Sequence, residues 1–334
     1  MQVTIRTPSR LHFCLIDMNG SLGRINGSLG LALNYPNFIL EATLSNDLRV
    51  MGIQTRLVKK AALNFYKKTK AKSKTTLNIK NAIPRHVGLG STTQTLLGVG
   101  TALSHIHKLD LNIVRLAQIM SRGGTSGIGV YAHQFGGLIL DGGHKAMIKD
   151  NDDLFVPSSV SNLPPPPVLF RNNFPREWKF VISIPNVKKG LHGLKEVNIF
   201  KERCPVPSED VDRICRIILI KMLPALLEKD IEEFGSGLTS LQNLGFARTT
   251  HDLTHPTVKA CMNFMLEKGA YGTGQSSFGP VTYGLVEGEE EAKELSAETK
   301  EFLNKFEGGT VFYSEVNNSG VEVKLDDRNY KRKN

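Results

Sequence analysis

The segment Pro84–Gln94 (PRHVGLGSTTQ) constrains this chain more than any other part of the sequence. It leads directly into the clearest predicted helix, Ser91 to His107, whose apolar side chains repeat at helical spacing. Gly88 and Gly90 allow close backbone approach to a ligand, and the free N–H groups of a helix start suit a phosphate. The segment lacks the Gly-Lys-Ser/Thr of a Walker A loop. An ordinary turn capped by Ser91 or Thr92 would give the same pattern.

The length and composition are those of a globular protein with two domains. The chain has 334 residues, of which 40% are apolar and 22% charged. No apolar run is long enough to span a membrane, and the first residues do not resemble an export signal. The cysteines are scattered without metal-ligand spacing, which is typical of reduced thiols. We therefore expect a cytoplasmic protein with no membrane partner.

The net charge of +10 indicates either an anionic small substrate or nucleic acid. Many of the cations lie in residues 59–74 and in the tail at 328–333. The first segment has helical spacing with lysines on one face, and no RNA-binding aromatic motif accompanies it. We predict a solvated helix there, so nucleic acid is the minor alternative.

The predicted elements alternate between strands and helices. Strands are expected at the opening, at residues 37–44, 75–80, 178–184, 281–286 and 309–316, and helices at 57–69, 91–107, 112–120, 209–227, 230–244, 254–268 and 287–306. Residues 20–30 and 269–280 are glycine-rich and predict turns or loops. The proline run in residues 164–167 marks a break. We predict an α+β chain with domains at 1–160 and 161–325 and a basic tail at 326–334.

Three segments together resemble the GHMP kinase superfamily. The glycine loop is similar to its phosphate-binding second motif, Thr7–Leu11 resembles the first motif, and Gly272–Gly279 lies where the third belongs. The resemblance implies a two-domain GHMP-kinase-like fold, with a left-handed βαβ N-terminal domain and a ferredoxin-like C-terminal domain. The phosphate-binding residues predicted from it are Gly88, Leu89, Gly90, Ser91, Thr92 and Thr93.

One segment departs from the kinases. Mevalonate-type kinases carry a catalytic aspartate where this chain has the glycine-rich Gly123–Gly129. Phosphoryl transfer depends mainly on positioning and charge neutralisation, so this departure weighs against a kinase without excluding one.

Longer stretches resemble the β-ribofuranosylaminobenzene 5′-phosphate synthase family, a non-kinase branch of the superfamily. They are TPSRLHFCLIDMNGSLGRINGSLGLAL, SRGGTSGIGVYAHQFGGLILDGGH and GAYGTGQSSFGPVTYGLV. The resemblance implies a phosphoribosyl transferase of methanopterin biosynthesis. Phosphoribosyl diphosphate would transfer its ribosyl group to 4-aminobenzoate or 4-hydroxybenzoate, with release of CO₂ and diphosphate. It also implies a Mg²⁺ ion, no organic cofactor and a homodimer.

The candidate site residues follow from that chemistry, which must stabilise a ribosyl cation and neutralise diphosphate. We predict catalytic roles for Arg10, His12 and Asp17, and Mg²⁺ binding by Ser91 and Asp17. Two of these residues have a structural alternative: His12 could be a hydrogen-bonded strand residue and Asp17 a turn residue. The predicted substrate-binding residues are Arg24, Gly124, Thr125, Ser126, Gln275, Ser276 and Ser277.

Asp141 and His144 have two interpretations, as a metal or hydroxyl contact or as part of a strand-ending turn. Asp152 and Asp153 are more typical of a solvated loop than of a phosphoribosyltransferase acidic pair.

His251 and His255 have metal-ligand spacing, but Pro256 favours a loop. Two other functions compete with transfer: an ATP-dependent GHMP kinase and a nucleic-acid-binding protein without catalysis.

Overall fold

The computed structural model describes residues 2–71, 75–146, 155–157, 161, 163–188 and 194–326. They form two β-sheets with helices packed against them. The predicted pair Asp152 and Asp153 and the basic residues 328–333 lie outside the described residues.

The first sheet has eight strands and the order β12-β1-β2-β4-β3, with β5 pairing β2 and β7, and β6 pairing β2. Its strands are β1 (Gln2–Asp17), β2 (Arg24–Leu44), β3 (Arg49–Gly52), β4 (Thr75–Asn81), β5 (Leu138–Asp141), β6 (His144–Lys145), β7 (Val168–Asn172) and β12 (Glu322–Asp326). Four helices belong to this half of the chain: α1 (Thr55–Thr69), α2 (Ser91–Ile106), α3 (Ile113–Ile119) and α4 (Ile128–Gln134).

The second sheet is antiparallel and has the order β11-β8-β10-β9. Its strands are β8 (Trp178–Pro185), β9 (Gly272–Gln275), β10 (Thr282–Glu287) and β11 (Gly309–Glu315). The helices of this half are α5 (Leu194–Arg203), α6 (Ser208–Arg216), α7 (Leu223–Glu228), α8 (Ile231–Leu241), α9 (Gly245–Thr249), α10 (Pro256–Glu267) and α11 (Glu289–Asn304). A π-helical stretch joins α6 to α7, and a 3₁₀ turn at His251–Leu253 precedes α10.

The two sheets share one apolar core. The Phe13 ring of β1 lies 5.3 Å from the ring of Tyr283 and 6.1 Å from that of Phe180, centroid to centroid. All three side chains are buried, so β1 packs directly against the second sheet. Because of this contact β1, a strand of the first sheet, lies at the junction between the two halves of the chain.

Most predicted helices and strands are confirmed, and so is the α+β fold class. Two strands within the range predicted for the second domain nevertheless join the first sheet. Leu138↔Asn172 is one of the pairs between β5 and β7, and Val3↔Leu325 one of those between β1 and β12. The division at residue 160 therefore does not follow the sheets. The proline run ends just before β7. The hydrogen bonds between β7 and β5, and not the position of the prolines, place β7 in the first sheet.

Three local predictions were wrong. The glycine-rich residues 20–30 contain the first part of β2, where a Cβ on Gly30 would lie 2.4 Å from the Leu11 carbonyl oxygen. Close strand packing, not a turn, explains that glycine. Residues 272–275 form β9, although a loop was expected. Gly90 occupies the N-cap of α2 in the left-handed region, so Ser91 and Thr92 lie inside the helix and do not cap it.

Candidate active site

The three segments with superfamily resemblance meet at one place. The Arg10 backbone N–H donates to the Leu89 carbonyl over 3.2 Å, and the Arg10 guanidinium donates to the Gly88 carbonyl. The Ser276 hydroxyl donates to the same Gly88 oxygen over 2.7 Å. The first and third segments therefore hold the glycine loop between them, although more than 70 residues separate each from it in sequence.

Only glycine fits at the two bends of this loop. Gly88 has φ +105°, and a Cβ there would lie 2.3 Å from the Ser276 carbonyl oxygen. Gly90 has φ +75°, and its Cβ would lie 2.8 Å from Cγ of Arg10. The backbone thus approaches its neighbours more closely than a side chain allows.

The loop delivers the amino end of α2 to a cavity of about 730 Å³. No side chain of the described residues caps this helix, so the N–H groups of its first turn remain for a ligand. Ser91, Thr92 and Thr93 line the cavity, as predicted for phosphate-binding residues. Leu89 does not line it, because its side chain is 1% exposed and packs in the core.

The cavity is cationic. Among its described lining residues Glu196 is the one carboxylate, against three arginines and one lysine: Arg10, Arg85, Arg122 and Lys259. Burial lowers the pKa of Arg10 to about 10, and the Glu196 charge raises it. Arg10 therefore keeps its charge at neutral pH, and the surplus of cations suits an anionic ligand.

Another part of the cavity wall is aromatic. The rings of Phe200 and Phe246 lie 4.7 Å apart, and Phe278 meets Phe246 edge-on at 5.5 Å. All three line the cavity, and Met262 and Leu266 of α10 also do so. Because aromatic rings pack favourably edge-to-face or offset, this wall suits a flat apolar group. The cavity thus joins a cationic end, at the start of α2, to an aromatic surface.

His12 lines the cavity and is hydrogen-bonded on both its backbone and its ring. Its backbone N–H donates to Ser276 Oγ over 3.0 Å, and its ring Nε2 lies 3.2 Å from Ser126 Oγ. Burial, and to a smaller extent the neighbouring Arg10 charge, lower the pKa of His12 to about 3, whereas a hydrogen bond with its own backbone raises it. The imidazole is therefore neutral at physiological pH, which excludes it as a cation for diphosphate.

The structure does not bring Asp17 and Arg24 to the cavity. The Asp17 carboxylate accepts from the backbone N–H groups of Asn19, at 2.9 Å, and Gly20, at 2.8 Å. Arg24 donates from NH2 to the carbonyls of Gly142 and Gly143, each over 2.9 Å. Both side chains therefore stabilise turns. Asp17 matches its predicted alternative as a turn residue. The catalytic role predicted for Asp17 and the substrate-binding role predicted for Arg24 gain no support.

The predicted pair Ser91 and Asp17 does not fit a Mg²⁺ ion. Ser91 lines the cavity, whereas the Asp17 carboxylate is bound within its own turn. No group of three or more His, Cys, Asp or Glu side chains that could hold a metal ion occurs in the described ranges. We therefore derive no step through a metal.

The remaining predicted residues divide into two groups. Thr125, Ser126, Gln275 and Ser277 line the cavity. Gln275 also holds its own loop, because its side-chain nitrogen donates to the Gly279 carbonyl over 2.7 Å and its oxygen accepts from Thr254. Ser276 is fully buried among Arg10, His12 and the glycine loop, and a Cβ on Gly124 would lie 2.4 Å from Ser161 Oγ. Ser276 and Gly124 are not among the described lining residues, so they act on the shape of the site.

Several residues that line the cavity were not predicted from the sequence. Glu196 and Phe200 lie on α5, Phe246 on α9 and Lys259 on α10, far from any motif. His251, which was set aside as a metal ligand, also lines the cavity, and its Nδ1 lies 3.2 Å from the Lys259 amine. Its partner in that pattern, His255, is the N-cap of α10, as the loop interpretation requires. Only the tertiary fold brings these positions together.

The chain is similar to known proteins over most of its length. The models "GHMP kinases N terminal domain" and "GHMP kinases C terminal" match residues 56–137 and 222–305. A β-ribofuranosylphenol 5′-phosphate synthase from Methanocaldococcus jannaschii is 38% identical over 96% of this chain and 99% of its own. The protein of that name from Archaeoglobus fulgidus is 39% identical over 96% and 99%. This chain belongs to the β-ribofuranosylphenol 5′-phosphate synthase family. It is therefore an enzyme.

Solved structures agree on the fold. A homoserine kinase from Cytophaga hutchinsonii has a TM-score of 0.67 at 17% identity, with 97% of each chain covered. The Methanococcus jannaschii mevalonate kinase has a TM-score of 0.63 at 16% identity, covering 94% of this chain and 98% of its own. At such identities the likeness shows the GHMP fold alone. Within the part of the chain that the structure describes, no helix has the length and apolar character needed to cross a membrane.

The glycine loop can be tested with a matched pair of substitutions. Gly90 and Gly23 both have φ +75°, but a Cβ on Gly23 would meet no atom within 4 Å. Gly90→Ala displaces Arg10, so we expect the affinity for inorganic diphosphate to fall about tenfold or more, a change of ~1.4 kcal/mol. Gly23→Ala carries the same backbone strain of about 1–2 kcal/mol and should bind normally. Calorimetric titration measures the affinities, and urea unfolding measures the strain. Equal diphosphate affinities in the two variants would show that the loop is not the anion site.

Proposed function

We propose that this enzyme transfers the 5-phosphoribosyl group of phosphoribosyl diphosphate to the carboxyl-bearing ring carbon of a 4-substituted benzoate, with loss of CO₂ and diphosphate. One observation supports it most: a single cavity joins a cationic glycine loop to an aromatic wall. The reaction needs both, a phosphorylated donor and a flat aromatic acceptor. The relatives' names specify a phenol product, which favours 4-hydroxybenzoate over 4-aminobenzoate as acceptor.

The bonds balance without an added reactant. The C1–oxygen bond of the donor breaks, and its electron pair leaves with diphosphate. The ring carbon that bears the carboxylate forms a bond to C1. The bond from that ring carbon to the carboxylate then breaks, its electron pair restores the aromatic ring, and CO₂ departs. Because the carboxylate leaves instead of a ring proton, the site needs positioning and charge neutralisation more than a strong base.

The residues can be assigned to these tasks. The first-turn N–H groups of α2 and the hydroxyls of Ser91, Thr92 and Thr93 hold phosphate oxygens. Arg10 holds the glycine loop in place through its hydrogen bond to the Gly88 carbonyl. The positive charge for diphosphate, the 5′-phosphate or the benzoate carboxylate comes from Arg85, Arg122 and Lys259. The Phe200, Phe246 and Phe278 rings receive the benzoate ring. A dry aromatic wall also excludes water, which would otherwise hydrolyse the ribosyl cation.

We place the reaction in methanopterin biosynthesis, in the cytoplasm, and carried out by a homodimer. The family membership supports the pathway and the homodimer, and the sequence supports the cytoplasm. The small-molecule kinase is the alternative. The GHMP fold favours it, but the glycines of Gly123–Gly129 provide no acid where mevalonate-type kinases carry theirs.

An isotope assay tests the function. The purified protein is incubated with phosphoribosyl diphosphate and 4-hydroxybenzoate labelled in its carboxyl carbon, and in parallel with the 4-amino analogue. We expect diphosphate and labelled CO₂ in equal amounts, faster with the hydroxy acceptor. Transfer of labelled phosphate from ATP to a small alcohol, with no CO₂ released in the first assay, would contradict the proposal and support a kinase.

The aromatic wall is tested by Phe246→Leu, which keeps apolar volume and removes the ring. Aromatic pairing contributes about 0.5–1.5 kcal/mol, so we expect KM for the benzoate to rise about 2- to 10-fold. KM for phosphoribosyl diphosphate should not change. Phe264→Leu is the control, because Phe264 stacks on Phe302 at 4.3 Å and is not a lining residue of the cavity. If Phe246→Leu raises both KM values equally, or neither, the benzoate ring does not bind there.

A further inference from the structure

A hydrogen-bonded chain of four side chains runs from the cavity into the first sheet. His12 Nε2 lies 3.2 Å from Ser126 Oγ, and Ser126 Oγ lies 2.6 Å from Ser28 Oγ. The Ser28 hydroxyl donates to Oδ2 of Asp141. Three different elements supply the links behind His12: the Gly123–Gly129 segment, β2 and β5. The pairing of Ser28 with Asp141 in the sheet fixes their register.

The far end of the chain is a buried carboxylate that has no contact with the cavity. Asp141 is fully buried and is absent from the described lining residues. Besides Ser28, its oxygens accept from the backbone N–H groups of Gly127, at 2.9 Å, and Gly143, at 3.1 Å. Burial raises the pKa of Asp141 to about 6, against these hydrogen bonds, so the carboxylate is ionised above that pH.

The ionised carboxylate of Asp141 fixes which atom donates in each of these hydrogen bonds. It only accepts, so the Ser28 hydrogen points to Asp141. Two hydroxyl oxygens 2.6 Å apart need a hydrogen between them, so Ser126 must donate to Ser28. The Ser126 oxygen is then left as an acceptor. It takes the Ile128 backbone N–H at 3.3 Å and has one lone pair for the His12 ring.

We infer that Asp141, Ser28 and Ser126 are positioning residues that hold His12 with its proton on Nε2 and with Nδ1 as a hydrogen-bond acceptor. The hydrogen bond that a neighbouring group makes with one ring nitrogen determines which nitrogen carries the proton. The hydrogen bond between His12 and its own backbone favours the opposite tautomer. Against that, a proton on Nδ1 would leave the lone pairs of Nε2 and Ser126 Oγ facing each other across 3.2 Å.

The role in catalysis rests on the proposed function. With its proton on Nε2, the neutral imidazole has an unprotonated Nδ1 that can accept a hydrogen bond from a hydroxyl or amino group of the substrates. For the benzoate, such a bond at the 4-substituent would increase electron density on the ring carbon that attacks C1. The other tautomer would present a donor and withdraw density.

Nuclear magnetic resonance tests the tautomer without any substrate. The ring ¹⁵N shifts of the nine histidines distinguish protonated from unprotonated nitrogens, and loss of a signal in His12→Gln assigns His12. At pH 8 we expect the Nε2–H form in the wild type. Ser28→Ala cuts the chain and frees the Ser126 hydroxyl to donate to Nε2, so the Nδ1–H form should replace it.

Kinetics distinguish positioning from a merely structural effect. In Ser28→Ala we expect kcat to fall about tenfold or more, by analogy with residues that orient ligating histidines, while KM for phosphoribosyl diphosphate stays constant. Ser183→Ala is the control, because Ser183 is equally buried, with 0% exposure, in the second sheet. Ser126→Ala, which removes the acceptor itself, provides a second test should Ser28→Ala unfold.

Three results would overturn the inference: a wild type in the Nδ1–H form, a Ser28→Ala variant and a Ser126→Ala variant that both keep the wild-type tautomer, or a loss of kcat without a tautomer change. Absence of synthase activity in the wild type would refute the proposed function and would leave the tautomer result to decide the hydrogen-bonded chain by itself.

Discussion

The Arg10 guanidinium is the interaction on which the site depends. It donates to the Gly88 carbonyl and reaches Ser276 Oγ at 3.4 Å, so one charge joins β1, the glycine loop and the loop after β9. Its stem occupies the space that a Cβ on Gly90 would need. Because burial disfavours the charged form, each of these polar partners offsets a desolvation cost. Without them the loop that presents α2 to the cavity would have no fixed shape.

The fold explains how distant residues come to surround this charge. β1 spans 16 residues, pairs within the first sheet, and packs Phe13 against the second. The residues that alternate with Phe13 and Leu11 along this strand, Arg10 and His12, therefore lie at the junction of the two halves. The first half supplies the glycine loop and the second supplies the aromatic wall. The cavity between them combines two chemistries that neither half has by itself.

The same junction explains how much the sequence could predict. The glycine loop, Arg10, His12 and Ser126 lie in motifs, and the sequence predicted their place in the site from the chemistry of each motif. Asp17 and Arg24 lie in an equally motif-rich stretch, yet their side chains turn to local backbone groups, a choice that spacing does not reveal. Glu196, Phe200 and Phe246 carry no local signal, since their role arises only when α5 and α9 pack beside β1. The role of Ser28 could not be predicted from the sequence, because it depends on the pairing of β2 with β5 that places Ser28 beside Asp141.

The position of the donor's diphosphate relative to α2 tests the central claim most directly. A crystal of the protein grown with phosphoribosyl diphosphate should show phosphate oxygens within hydrogen-bond distance of the first-turn N–H groups at Ser91, Thr92 and Thr93. The ribose C1 should then face the aromatic wall. Diphosphate bound elsewhere, with the glycine loop covered by protein side chains, would contradict the account.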